Sequence, residues 1–428
     1  MLAPLCRLLR EDVLSALQNP HSNLTQLARE WRNVLFPEAD DFQFADAYTQ
    51  TLTYALLLAR FSDKEIHIDT SSAASTIERG HALLAQALRI LADDQARQEI
   101  DLGVDLLERA IDAVDAVVLL RKHGDPWLYF YEDFLAAYDP KLRKDRGVYY
   151  TPVEVVRAQT NLVAELLQKK FGKSLAFADD NVIYLDPGVG TGSYPLVAIQ
   201  HGLDLVQTRF GQGAIEGRAS EMAKNFYGFE ILIGPYAVSH LRITQAIMEA
   251  GGELPGNGVH VYLTDTLESP HAEPPGQQLT LMYKPLTEEH LAAQEVKGNV
   301  KVLVCMGNPP YDRQVIAPEA EEKEQRKGGW VRFGEDGKEG ILEDFLKPVR
   351  DAGQGVHAKN LYNDYVYFWR WALWKVFETT SEGGIVSFIT ASSYLRGPGF
   401  IGMREKMRRL LDEPWIIDLE GDNRGARK

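Results

Sequence analysis

From Leu2 to about Tyr138 apolar residues recur at helical spacing, in a stretch rich in Leu, Ala, Glu and Arg. Leu106, Ala110, Val114 and Val117 show the three- and four-residue steps that gather on one helix face. Few β-branched runs interrupt the pattern, so it predicts an all-helical N-terminal domain over residues 1–140. With no glycine-rich loop and no metal-ligand spacing, that domain is expected to pack or couple rather than to do chemistry. After Gly147 the texture changes to short β-branched or aromatic runs separated by helical stretches. Val182–Leu185, Phe226–Phe229, Val259–Leu263, Lys301–Cys305, Ile385–Ile389 and Trp415–Leu419 read as strands. Such alternation predicts an α/β fold over residues 141–428, with a parallel, doubly wound sheet covered by helices on both faces. Between Tyr311 and Lys359 the chain is charged and glycine-rich, and reads as one long loop, a feature usually functional or disordered.

Composition narrows this picture. The chain has 428 residues, 45% of them hydrophobic, enough to fill real cores. Its two cysteines, Cys6 and Cys305, support neither a disulfide framework nor a cysteine metal cluster, so a reducing cytoplasm and no metal are expected. No segment is long and uncharged enough to span a bilayer, and neither a signal peptide nor a membrane anchor is expected. The formal charge of −15 argues against a protein that coats nucleic acid through general electrostatics. Local basic faces are still available at Lys141, Arg143, Lys144 and Arg146, and at Arg404, Lys406, Arg408 and Arg409.

Four strand ends carry candidate chemistry. Tyr184-Leu185-Asp186-Pro187-Gly188-Val189-Gly190-Thr191-Gly192 follows the first strand and leads into a helix. Its glycines admit close backbone approach to a ligand, and the helix start offers free N–H groups. An ordinary turn or a dinucleotide fingerprint is also open, but Asp186 precedes the glycines and the spacing is not G-x-G-x-x-G. The loop suits a nucleoside carrying an amino acid better than a pyrophosphate. Glu230 ends the next strand, where a carboxylate can accept ribose hydroxyls. Asp265, before Thr266, offers an acceptor for an adenine amino group, or simply caps a turn. Met306-Gly307-Asn308-Pro309-Pro310-Tyr311 closes an apolar run that its prolines cannot continue. The Asn308 side-chain oxygen and the Pro309 carbonyl are two acceptors for a planar exocyclic amine, with Tyr311 near enough to stack on its ring.

Together, Asp186 to Gly192 and Asn308 to Tyr311 resemble the amino-methyltransferases that use S-adenosylmethionine, specifically the gamma-type N6-adenine DNA methyltransferases. The segments Arg146 to Pro152, Phe226 to Val238, Val261 to Glu268, Asn363 to Trp371, Gly384 to Thr390 and Ser393 to Leu395 resemble the methyltransferase region of Type ISP restriction-modification enzymes. The match runs from about Lys144 to the end of the chain. The resemblance implies a Rossmann-like S-adenosylmethionine-dependent methyltransferase sheet. It assigns Tyr150, Thr151 and Pro152 to closure over the methionine part of the cofactor, and Asp186, Pro187, Gly188, Gly190 and Gly192 to the methionine and ribose loop. Glu230 falls to the ribose and Asp265 to the cofactor adenine, Ile231 and Thr266 join them as cofactor-binding residues, and Asn308, Pro309, Pro310 and Tyr311 form the catalytic set around the target base.

The implied function is site-specific adenine-N6 methylation of DNA, alone or as part of a restriction-modification or phage-defence enzyme. Two acceptors holding both amino N–H bonds favour a pyramidal nitrogen poised for attack, and pre-positioning supplies much of the barrier reduction. The adenine must be flipped from the duplex at a cost of a few kcal/mol. Gly188 stands where relatives often carry alanine, and Asp265 where they often carry asparagine; both changes preserve the implied role. Residues 415–428 stop where relatives continue into the last strands and a target-recognition domain, so the methyltransferase domain is expected to be truncated. Recognition, helicase or nuclease regions are the implied partners. A protein glutamine methyltransferase and a non-catalytic module that binds cofactor or DNA are the competing readings.

Overall fold

The computed structural model describes residues 2–34, 40–63, 65–78, 80–91, 97–114, 137–138, 151–272, 284–311 and 328–419. Six helices come first: α1 (Leu2–Leu17), α2 (Asn23–Val34), α3 (Asp41–Ser62), α4 (Thr70–Ile77), α5 (Ala82–Leu91) and α6 (Asp101–Asp112). α3 starts on a reciprocal cap, in which Asp40 accepts from the Gln43 backbone N–H and Gln43 returns the bond. Nearly every residue from Phe44 to Ala59 is buried. Its threonines survive this because each hydroxyl donates to the carbonyl one turn back, as Thr49 does to Ala45 at 2.7 Å and Thr53 to Thr49 at 2.8 Å. Val117 lies outside the described residues, as does the proposed boundary at residue 140, so the division into two domains stays a proposal.

The remainder is an α/β unit. In chain order it runs α7 (Val153–Lys170), β1 (Tyr184–Asp186), α8 (Ser193–Phe210), α9 (Ile215–Asn225), β2 (Phe226–Glu230), α10 (Ile233–Glu249), β3 (His260–Leu263), α11 (Lys284–Gly298), β4 (Val304–Gly307), α12 (Gly329–Phe333), α13 (Glu343–Asp351), α14 (Asp364–Leu373), β5 (Ile385–Phe388), α15 (Ser393–Arg396) and α16 (Ile401–Leu410). The strands form one parallel sheet in the order β3-β2-β1-β4-β5. The winding direction reverses between β1 and β4, which opens a crevice beyond their carboxyl ends. Side chains alternate across the sheet: Tyr184, Val304 and Met306 join the core on the side of the N-terminal helices, while Leu185 and Cys305 join the core built on α11 to α16. Both cysteines are buried and free.

Three segments differ from expectation. Trp415–Leu419 is not a strand: among the described residues it has no neighbouring strand to satisfy its backbone, and Trp415, Ile416, Ile417 and Leu419 are exposed. The span expected as one loop from Tyr311 to Lys359 contains α12 and α13, which bury Val331, Phe345, Leu346 and Val349. Glycine and charge were misleading there because those four apolar residues are enough to seat two short helices. β4 also begins later than its apolar run, where the Leu303 and Val304 N–H groups first reach the Ile183 carbonyl at 3.0 Å.

The N-terminal helices pack on α10. An added Cβ at Gly234 would lie 2.5 Å from Gln50 Oε1, and one at Gly258 only 2.1 Å from the Gly80 carbonyl oxygen. His81 and His240 meet in the same seam, Nδ1 to Nδ1 at 3.2 Å. His240 Nε2 faces the Val261 carbonyl at 2.8 Å and so carries the proton, which makes its Nδ1 the acceptor and His81 Nδ1 the donor. Among the described residues no helix is long and apolar enough to cross a membrane. Lys141 to Arg146 lie outside the described residues. On α16, Arg404 donates to the Tyr394 and Gly397 carbonyls, and Lys406 pairs with Asp344 and Glu378.

Candidate active site

The crevice gathers the strand ends singled out by sequence. Asp186 closes β1 and is 1% exposed; its Oδ1 accepts from the Gly188 N–H at 3.1 Å, while Oδ2 has no hydrogen-bond partner among the described residues. Burial pushes its pKa up to about 8, against the Gly188 N–H, and the nearby Glu230 charge adds to the rise. Gly190 and Gly192 have φ of 53° and 82°, a left-handed turn that brings the chain onto the start of α8. Gly188 needs no such freedom. A Cβ there would make ordinary contacts with Phe368 at 3.7 Å and Pro310 at 4.0 Å.

Glu230 closes β2 and turns its carboxylate onto the glycine loop. Oε2 accepts from the Gly190 N–H at 3.0 Å and Oε1 from the Leu232 N–H at 2.8 Å. Burial raises its pKa to about 7, opposed by those backbone donors. Ile231 beside it is 49% exposed, a bare aliphatic side chain at the crevice. After β3, Asp265 forms a local turn by accepting from the Leu267 N–H at 2.9 Å, and its side chain is exposed. Thr266 is buried and donates to the Pro187 carbonyl, which ties this turn to the glycine loop.

Asn308 follows β4 directly, with both ends of its amide engaged. Nδ2 donates to Thr151 Oγ1 at 2.9 Å, and Oδ1 accepts from the Tyr311 hydroxyl at 2.5 Å. Pro309 is buried and Pro310 half-buried. The Tyr311 ring stands 6.4 Å from that of Tyr365. Pro152 is the cap residue just before α7, so Thr151 is delivered to Asn308 from the helix start; Tyr150 lies outside the described residues. Every other predicted site residue lies on these strand ends and the loops that follow them.

Some contributors were not singled out by sequence. Gly307 lets β4 pass Asp186: a Cβ there would sit 2.4 Å from Asp186 Oδ1. Its signal was a small residue between the apolar run and Asn308. Phe368 came only as part of an aromatic-rich segment, and Lys297 and Glu289 gave no signal beyond charges on a helix. Glu289, on α11, accepts from the Leu263 N–H at 2.6 Å and the Tyr236 hydroxyl at 3.0 Å, holding the end of β3.

The family model for N-6 DNA methylase matches residues 125–336, which include the glycine loop, both acidic strand ends and Asn308 to Tyr311. Over those residues the chain is similar to N-6 DNA methylases. Among solved structures, the chain resembles that of a DrdV–DNA complex with a TM-score of 0.64 at 22% identity, covering 95% of this chain and 36% of that one. A nuclease-deletion mutant of the Type ISP restriction-modification enzyme LlaGI, in complex with a DNA substrate mimic, gives 0.64 at 18% identity, covering 95% and 30%. The ATP-dependent Type ISP restriction-modification enzyme LlaBIII bound to DNA gives 0.65 at 19%, covering 95% and 25%. At these identities the likeness is one of fold, and the chain spans between 25% and 36% of those proteins' lengths. No curated protein matches it.

Proposed function

We propose that this protein transfers a methyl group from S-adenosylmethionine to N6 of an adenine flipped out of DNA, as the methyltransferase part of a restriction-modification or phage-defence enzyme. The observation that carries the proposal is the packing of Gly307, which directly precedes Asn308, against Asp186 at the β1/β4 crevice. The residues fit the cofactor: Asp186 Oδ2 is buried and lacks a partner among the described residues, which suits a cationic amino acid. Glu230 suits the ribose hydroxyls, Ile231 the face of the cofactor adenine, and Asp265 its amino group. When bound, S-adenosylmethionine supplies an electrophilic methyl group on a sulfonium, itself an excellent leaving group.

The chain's own residues then have two tasks. Asn308 Oδ1 and the Pro309 carbonyl accept the two amino N–H bonds and aim the nitrogen lone pair; the Tyr311 hydroxyl gives up Oδ1 as the base arrives, and its ring stacks on that base. Thr151, by accepting from Asn308 Nδ2, keeps Oδ1 turned toward the base. The division into a helical coupler of residues 1–140 and a methyltransferase of residues 141–428 belongs to this proposal, as does action in the cytoplasm. The family match and the DNA-bound relatives favour DNA over a protein glutamine as the acceptor.

Incubation with labelled S-adenosylmethionine and unmodified DNA, then nucleoside analysis, tests it. N6-methyladenine is expected, and Asn308→Ala should abolish it while sparing cofactor binding. Label in protein rather than DNA would move the assignment to a protein methyltransferase.

A further inference from the structure

Lys297 is a fully buried lysine that touches neither the glycine loop nor Asn308. It lies in the last turn of α11, and its ammonium donates to Thr264 Oγ1 at 2.8 Å, the Asp265 carbonyl oxygen at 2.7 Å and Glu268 Oε2 at 3.2 Å. An ammonium has three donors, and all three are used within one turn of chain. The same cation stands 5.8 Å from the Phe229 ring, in the strand that ends at Glu230. Glu268 is braced by two further residues of α11, Gln294 at 3.2 Å and His290 at 3.9 Å. His290, Gln294 and Lys297 therefore present one helix face to the turn that carries Asp265 and Thr266.

We infer that Lys297 is a positioning residue for the cofactor's base: it holds the Thr264 to Glu268 turn closed, so that the Asp265 carboxylate faces an adenine amino group and the site distinguishes adenine from a 6-oxo purine. The inference rests on the cofactor reading above. Its physical basis is that the three oxygens converging on Nζ repel one another without a cation between them. Remove the ammonium, and the turn must open or take in water. Because Thr266 hangs from the same turn and bonds to Pro187, opening it also loosens the glycine loop. The carboxylate of a fixed Asp265 accepts from an amino N–H and repels a carbonyl oxygen at the same place, so rigidity here appears as selectivity.

The test compares calorimetric binding of S-adenosylhomocysteine and S-inosylhomocysteine to the full chain, with thermal melts establishing that each variant is folded. Wild type should prefer the adenine compound by about tenfold or more, as for a hydrogen bond to a charged group. Lys297→Met should bind the adenine compound about tenfold more weakly, with the preference falling toward unity. If Lys297→Met does not fold, Thr264→Val removes one of the three acceptors without emptying the buried site, and should lower the preference part-way; Thr264→Ser should restore it. A folded Lys297→Met, or a Thr264→Val, that keeps the wild-type preference overturns the inference and makes Lys297 a purely structural ion-pair partner. Failure of wild type to bind S-adenosylhomocysteine would instead remove the cofactor reading, and this inference with it.

Discussion

Gly307→Ala tests the junction on which the proposed active site depends. A Cβ at Gly307 would lie 2.4 Å from Asp186 Oδ1 and 3.1 Å from its Cγ, about 1 Å inside normal contact. Asp186 has little room to yield, since it is 1% exposed at the end of a central strand and holds the Gly188 N–H. Overpacking of this kind costs about 1–3 kcal/mol. Displacing the carboxylate sacrifices its bond to Gly188, worth about 1 kcal/mol or more. Lower chain entropy on replacing glycine returns about 0.4–1 kcal/mol. A net loss of roughly 2–3 kcal/mol is expected, together with weaker S-adenosylhomocysteine binding. Gly188→Ala is the control, because its Cβ would meet nothing closer than 3.7 Å and the entropy gain should leave it about 0.4–1 kcal/mol more stable than wild type. Urea unfolding of both variants, with calorimetry of the cofactor product, measures the contrast. If Gly307→Ala matches Gly188→Ala in both, Asp186 does not pack on β4 as described.

Other consequences follow from buried charge and close contacts. With Asp186 raised to about 8 and Glu230 and Glu289 each to about 7, the folded protein holds protons that the unfolded chain releases, so these groups lose stabilising effect as pH rises toward 8. Burial lowers His240 to about 4 and pushes His81 down as well, which works the other way but only below the ordinary histidine value of 6.5. Cofactor-free protein should therefore become less stable to urea from pH 6.5 to 8, with a shallower decline in Asp186→Asn; a rise over that window would contradict the burial of these carboxyls. Thr151→Val leaves Asn308 Nδ2 without its acceptor and should lower the methyl-transfer rate roughly tenfold or more. Its effect on S-adenosylhomocysteine affinity should be smaller, and an equal loss in both would return Thr151 to the cofactor alone. At Gly258, alanine would meet both a φ of +86° and the Gly80 carbonyl at 2.1 Å, so Gly258→Ala should lower stability by about 2 kcal/mol or more by prising the turn between α4 and α5 from the loop before β3. Unchanged melting would show that the seam is not closed at that point.

Much of this protein is local, and local features are legible in sequence. Asp186 before three glycines, an acid at the end of each of the next two strand regions and Asn308 before two prolines depend on backbone chemistry that a short segment carries by itself. A parallel sheet places such strand ends together, so the pattern also determined that the site lies at their carboxyl edge. What required tertiary structure was everything set by distance between segments remote in sequence. Gly307 matters because Asp186, 121 residues earlier, passes within contact of it. Asn308 is oriented by Thr151, and the Asp265 turn is closed by Lys297, through hydrogen bonds that no spacing rule contains. Trp415 to Leu419 shows the reverse limit: its residues favour a strand, but a strand exists only where a neighbour accepts its backbone. α10, apolar and polar by turns, is buried along most of its length because it lies between the sheet and α3, a helix that begins 192 residues before it (233 − 41).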